Sequence, residues 1–330
     1  MMRRRQFIAL LGGAAAAWPL AARAQQLDRV RRIGVLMNFA EDDSESQTRL
    51  AAFRQALQEL GWTDGRNVMI EHRWSVADVA RAREMAAELI ALAPDVILAT
   101  ASPAVTGLQQ VTTTVPIVFV NIIDPVGAGF VASLARPGRN TTGVTVFEYG
   151  ISSKWLEILK QIAPRLTRVA VFRDAAISSG IGQFAVIQAV APSFGVELTP
   201  YDTRDAAEIE RAFTDIAQRG IGGLIVTASS PAANYRDLIV GLVARHGLPA
   251  VYGARYFVTA GGMISYGPDF TEGFRRAASY VDRILRGEKA ADLPVQAPTT
   301  YGLAINLKTA KALGIEIPST MRALANEVIE

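Results

Sequence analysis

The chain has 330 residues, half of them apolar, with no Cys and a formal net charge of +3. The missing thiols exclude disulfides, thiolate metal sites, a cysteine nucleophile and the lipidated Cys of a bacterial lipoprotein. The length exceeds what one compact core usually holds, so two lobes are expected.

Residues 1–24 read as a signal peptide. Arg3, Arg4 and Arg5 form a basic start, residues 7–18 are an apolar run, and Ala22-Arg23-Ala24 has the A-x-A form of a cleavage site before Gln25. The run is shorter than the ~20 residues a bilayer anchor needs. Arg4-Arg5-Gln6-Phe7-Ile8 also has the form of a twin-arginine signal. This segment holds four Arg and no acid. Beyond it 30 basic side chains face 31 acidic ones, and the net charge is −1. No basic footprint remains for nucleic acid or an anionic membrane surface. The product expected is a soluble periplasmic protein, cleaved after Ala24, with no direct membrane insertion.

From Arg31 onward strands and helices alternate. Residues 33–37 are continuously apolar, as befits a strand buried on both faces of a parallel sheet. Leu50, Phe53, Leu57 and Leu60 then share one helical face, and Gly61 stops the helix. Residues 68–74 read as a strand and 80–92 as a helix halted by Pro94. Residues 96–99 and 117–120 read as two more buried strands. Such alternation predicts a doubly wound parallel sheet.

The same order then runs again. Residues 169–172 repeat the first strand, 223–226 repeat 96–99, and 248–251 repeat 115–118. The nearest internal likeness sets Ala99-Thr100-Ala101-Ser102-Pro103-Ala104 against Val226-Thr227-Ala228-Ser229-Ser230-Pro231-Ala232. Two similar α/β halves predict a clamshell. Extended segments at 142–147, 265–268 and 293–295 are expected to be three hinge crossings, with Val144, Phe147, Tyr266, Gly267 and Pro294 as hinge residues. The expected N-terminal lobe is 25–145 plus 267–293, and the C-terminal lobe 147–265 plus 295–330.

In open parallel sheets, ligands bind beyond the carboxyl ends of the strands. The loops there supply Asn38, Phe39, Ser102, Pro103, Ala104, Asp124, Tyr149, Ser229, Ser230, Tyr252 and Arg255 as candidate ligand-binding residues. Ser102-Pro103 and Ser230-Pro231 each read as an N-cap Ser before a helical Pro. Such helix starts suit a carboxylate, one from each lobe, and the same hydroxyls also serve as plain caps. Asp124 suits an ammonium or a cap, and Arg255 a carboxylate or solvent. Phe39, Tyr149, Tyr252 and Tyr256 suit a flat ligand or ordinary packing. Gly34 is followed by Val-Leu-Met-Asn, so no dinucleotide fingerprint follows the first strand. There is no G-x-S-x-G, no P-loop and no metal-spaced cluster, and His72 and His246 lie in a strand and at a helix end. No cofactor, no metal and no catalysis are expected.

Five stretches resemble one family. They are Gly61-Trp62-Thr63-Asp64-Gly65-Arg66-Asn67, Asp124-Pro125-Val126-Gly127-Ala128-Gly129-Phe130-Val131, residues 134–144 (LARPGRNTTGV), Gly261-Gly262-Met263-Ile264-Ser265-Tyr266-Gly267, and residues 305–318 (INLKTAKALGIEIP). In these the chain is similar to ABC-transporter substrate-binding proteins of the tryptophan/tyrosine-receptor type, in order from about Arg31 to the C-terminus. The resemblance implies a type I periplasmic-binding-protein clamshell, and a permease with its ATPase as partners. It implies a small-molecule ligand, an aromatic amino acid or another organic or aromatic acid, and no chemistry in this subunit. The alternative function is a ligand-sensing module that reports to a membrane signalling protein.

Overall fold

The computed structural model describes residues 29–330 apart from residues 77 and 299. The expected signal peptide lies outside the described residues.

The N-terminal lobe begins with β1 (Arg31–Met37), α1 (Ser44–Glu59), β2 (Val68–Trp74), α2 (Val79–Ala91), β3 (Val96–Thr100), α3 (Ala101–Val111), β4 (Ile117–Ile122) and β5 (Thr141–Thr145). Its sheet runs β2-β1-β3-β4-β5, all parallel. Residues alternate sides along β1, which explains its unbroken apolar run. Val35 and Met37 pack under Leu50, Phe53 and Leu57 of α1. Leu36 faces Leu89 of α2 and Leu108 of α3. Asp43 starts α1 by accepting from Glu45 N and Ser46 N, and Asp78 starts α2 by accepting from Arg81 N.

The C-terminal lobe continues with α4 (Ser152–Ile162), β6 (Arg168–Arg173), α5 (Ser178–Val190), β7 (Glu197–Asp202), α6 (Ala206–Gln218), β8 (Gly223–Val226), α7 (Ser230–Asn234), α8 (Arg236–His246), β9 (Ala250–Tyr252), α9 (Arg255–Thr259) and β10 (Ile264–Gly267). The chain then returns to the first lobe as α10 (Phe270–Leu285), whose Phe274, Val281 and Leu285 complete the core above α1. It closes in the second lobe with β11 (Gly302–Asn306), α11 (Leu307–Ala312), α12 (Ser319–Leu324) and β12 (Glu327–Ile329). The second sheet runs β12-β11-β10-β9-β8-β6-β7, with β11 antiparallel to β10 and the other pairs parallel. The internal repeat is thus a repeat of sheet position: β6, β8 and β9 lie side by side as β1, β3 and β4 do.

Three passages join the lobes, and two lie later than the expected crossings. The first follows β5 directly. Val146 N still donates to Ile122 O, while Phe147 packs edge-on against Trp155 of the second lobe at 5.9 Å. Val144 is therefore a sheet residue, and the chain leaves the lobe after Val146. Tyr266 and Gly267 lie inside β10, with Tyr266 O accepting from Trp155 Nε1 at 2.7 Å, so the second passage falls at Pro268 and Asp269. Pro294 precedes the third. Val295 N donates to Leu134 O, Gln296 N to Gly143 O, and Thr145 N to Gln296 O, which holds this stretch to the first lobe. The passage lies between Gln296 and Gly302. A segment whose backbone is already paired cannot bend freely, so extended character alone misplaced these crossings.

Candidate functional site: the cleft between the lobes

The strand order reverses between β1 and β3 in the first lobe and between β6 and β8 in the second. The carboxyl ends of these four strands face one another across a small cavity lined from both lobes.

Asn38 follows β1 and is locked from below. Its N–H donates to Thr100 Oγ1 at 2.8 Å, and that hydroxyl donates to Asn38 Oδ1 at 2.9 Å. Its Nδ2 is left to reach across to Ser230 Oγ at 3.3 Å. Phe39 crosses further and packs in the core of the second lobe, edge-on to Tyr256 at 6.4 Å. After β3, Ala101 carries φ 61°, and Asn121 in β4 carries φ 60°. Both line the cavity. A left-handed conformation costs a non-glycine residue about 1–3 kcal/mol and marks functional sites.

Arg49 on α1 is the charged centre of the cleft, and the sequence reading passed over it. It is 2% exposed and lines the cavity. Its guanidinium lies 4.7 Å from the Phe39 ring, 5.4 Å from Phe270 and 5.7 Å from Tyr256. Nη2 donates to Glu45 Oε2 at 2.9 Å, whereas Nε is buried with no hydrogen-bond partner. Burial pushes the Tyr256 hydroxyl well above its ordinary pKa, so it stays neutral beside this cation. The signal was present in the helical pattern: Ser46, Arg49, Leu50, Phe53 and Leu57 form the buried face of α1. A cation at a core position is held for a reason other than packing.

Several expected site residues take other places. Ser102 is the second helical residue of α3, behind Thr100 as N-cap, and Ser230 is the first of α7, behind Ser229. Both line the cavity, from opposite lobes, but neither is a cap. Ser229 is the cap, accepting from Ala232 N at 3.3 Å, and α7 is too short to carry a sizeable dipole. Pro103 stands third in α3, outside the lining, and Ala104 is buried in the core beneath. Tyr252 is wholly buried, stacked 4.8 Å from Phe257. Arg255 points out of the cleft and pairs with Glu327, Nη2 to Oε1 at 2.8 Å.

Asp124 and Tyr149 lie outside the cavity lining and tie its edge. Tyr149 OH donates to Asp124 Oδ2 at 2.9 Å, and Gly127 N donates to Asp124 Oδ1 at 2.7 Å, closing a turn rather than capping a helix. Gly182 makes this possible, because a Cβ there would stand 2.4 Å from the Tyr149 ring. At the mouth, Arg236 Nη2 lies 2.7 Å from Asp43 Oδ2. Asn38, Asp43, Phe39 and Asp124 thus all contact the second lobe and bridge the halves around the cavity. Among the described residues no group of three or more His, Cys, Asp or Glu could hold a metal, and no helix is long and apolar enough to cross a membrane.

A family profile described as "ABC transporter substrate binding protein" matches residues 29–329. The chain is 23% identical over 264 residues to a tyrosine-binding protein of Clostridioides difficile, covering 80% of this chain and 76% of that one. It superposes with a TM-score of 0.84 on a Streptococcus pneumoniae ABC domain in complex with L-Trp, at 25% identity and covering 91% and 99% of the two chains. The ligand-free, open structure of a C. difficile substrate-binding protein gives 0.67 at 23% identity, with 91% and 99% covered. The two sheets match the type I periplasmic-binding architecture, which a Bacillus halodurans solute-binding protein with bound myo-inositol shares at a TM-score of 0.58, 13% identity and coverage of 87% and 98%. Its relatives are solute-binding proteins rather than enzymes, and the chain belongs to the family of ABC transporter substrate-binding proteins.

Proposed function

We propose that this chain is exported, receives a small carboxylated molecule in the cleft, and presents the closed form to an ABC permease and its ATPase without altering the ligand. The observation that carries the reading is Arg49, a buried cation facing a cavity lined from both lobes, with an Nε that has no partner. A buried charged donor left unpaired costs more than a neutral one, so the site favours an occupant that brings an acceptor. The hydroxyls of Ser102 and Ser230 stand ready on opposite lobes. The closer superposition on the L-Trp complex than on the ligand-free, open structure supports reading these lobes as closed. The first 24 residues support export, with cleavage after Ala24.

The test is a thermal-shift screen of amino acids and organic acids, since a ligand at 100 times its Kd adds about 2.7 kcal/mol of stability. The primary amide of each hit is then compared. The acid should bind at least about tenfold more tightly, roughly 1.4 kcal/mol. A strain lacking the gene should lose uptake of the same labelled acid. Equal binding of acid and amide would remove the carboxylate from the reading, and unchanged uptake would remove the permease.

A further inference from the structure

Two residues of the cavity lining carry buried hydrogen-bond donors with no partner among the described residues. Arg49 Nε and Asn121 Nδ2 are both buried, both belong to residues lining the cavity, and both lack a partner. An ionised carboxylate brings acceptors only, whereas an ammonium brings three donors and no acceptor. Among the described residues no carboxylate lines the cavity. Asp269 and Glu272 line an adjoining hollow that shares Asn121 and Val146 with this one, and they accept from Thr271 N at 2.8 Å and from Arg275 Nη1 at 3.1 Å. Asp43 pairs with Arg236 at 2.7 Å, and Glu45 pairs with Arg49 at 2.9 Å. Asp124 accepts from Tyr149 OH and Gly127 N, while Asp174 accepts from Ala176 N within its own loop. Turning any of these acids toward a ligand ammonium would cost it the partner it already has. An ammonium would therefore lose its water with no opposite charge to replace it, a larger penalty than that for an apolar atom in the same place. Ile123, Val146, Ile177 and Ala228 supply such an apolar place.

We infer that the ligand is a small carboxylic acid with an apolar body and no ammonium group, its carboxylate received by the guanidinium of Arg49. The inference rests on the cleft being the receptor site, and it separates this chain from relatives described with tyrosine or tryptophan. The chain shares the overall fold of those relatives, while the lining of its own cavity holds a cation and, among the described residues, no anion.

Matched pairs that differ only by the α-ammonium test it, with binding to the whole secreted chain measured by calorimetry. The pairs are indole-3-propionate against tryptophan, 3-phenylpropionate against phenylalanine, and 4-methylpentanoate against leucine. The expected result is that the acid binds in at least one pair, at least tenfold more tightly than its amino acid. Arg49→Gln should abolish that binding, and Arg49→Lys should restore less than a tenth of it, because Lys lacks the planar fork. Both variants are to be checked for unchanged circular dichroism. An amino acid that binds as tightly as its partner acid overturns the inference and leaves the cleft reading intact. If no member of any pair binds, the inference also fails, and the wider screen then decides separately whether the cleft takes a ligand. The ligand pairs need no variant to fold, so loss of an Arg49 variant would not shelter the inference.

Discussion

Ala101 and Asn121 hold left-handed backbone at the floor of the cavity, one immediately past β3 and the other within β4. Strain of this kind persists only where surrounding structure over-determines it. Ala101→Gly should therefore stay within about 0.5 kcal/mol of the parent, because relief of the positive φ offsets the entropy that Gly loses on folding. Ala51→Gly, at an exposed position inside α1, should cost about 1 kcal/mol. Urea unfolding of both variants checks this, and equal losses would mean that Ala101 is unstrained. The loops singled out from the sequence border the cavity, but several of their side chains turn away from it. Asn38, Phe39, Ser102, Ser229 and Ser230 line the cavity as loop position alone suggests. Arg255 and Tyr252 were drawn in by their chemistry, but which way a side chain leaves a loop is set by partners far along the chain, such as Glu327 and Phe257. Arg49 was missed because a helix face was read for its leucines.

At the scale of elements, the buried interior strands are readable from composition, since β1, β3, β4, β6 and β8 each contain an apolar run of four or five residues and none lies at a sheet edge. The edges were harder. β7 and β12 are short or half-exposed, and β11 turns antiparallel, so they show neither a continuous run nor a repeat of the first lobe. β2, also an edge, carries a titratable group with a consequence. Its His72 is stacked 5.9 Å from Trp74, and Arg54 Nη2 lies 3.1 Å from its Nε2. Burial first, and the Arg54 charge second, lower the His72 pKa to about 4 from an ordinary 6.5. The depressed value means that the unfolded chain takes up the proton first as pH falls. Stability from this site is complete above about pH 6.5 and is lost as pH drops toward 4. His72→Gln, which cannot titrate, should lose less unfolding free energy than the parent between pH 7 and pH 4.5, by about 1 kcal/mol once partial exposure is discounted. Identical pH profiles would show that His72 titrates normally in the fold.

For the whole molecule, each lobe has its own core on both faces of its sheet, and Phe39 and Ile123 of the first lobe reach into the core of the second. Three short passages leave their relative position to be set by contacts across the cleft. A ligand can favour closure only by binding the closed state better, and the contacts already present there decide how much it must supply. The strongest candidate among them is the Asp43–Arg236 pair, with both side chains about seven-eighths buried at 12% and 14% exposure. Breaking one partner would strand the other, so the informative variant removes both charges. Asp43→Asn keeps the cap of α1, because Asn accepts from Glu45 N and Ser46 N as Asp does. Combined with Arg236→Gln it should leave each lobe folded, with unchanged circular dichroism, while the unliganded protein shifts toward open forms. Small-angle scattering should then show a larger radius of gyration than the parent without ligand, and a return to the parent's value at saturating ligand. Affinity for any acid found in the screen should fall about tenfold, the 1.4 kcal/mol that the closed state no longer receives from the pair. If the radius and the affinity both stay at the parent's values, the pair is an onlooker at the mouth. Closure would then rest on Arg49 with the rings of Phe39, Tyr256 and Phe270, which join the lobes around the cavity.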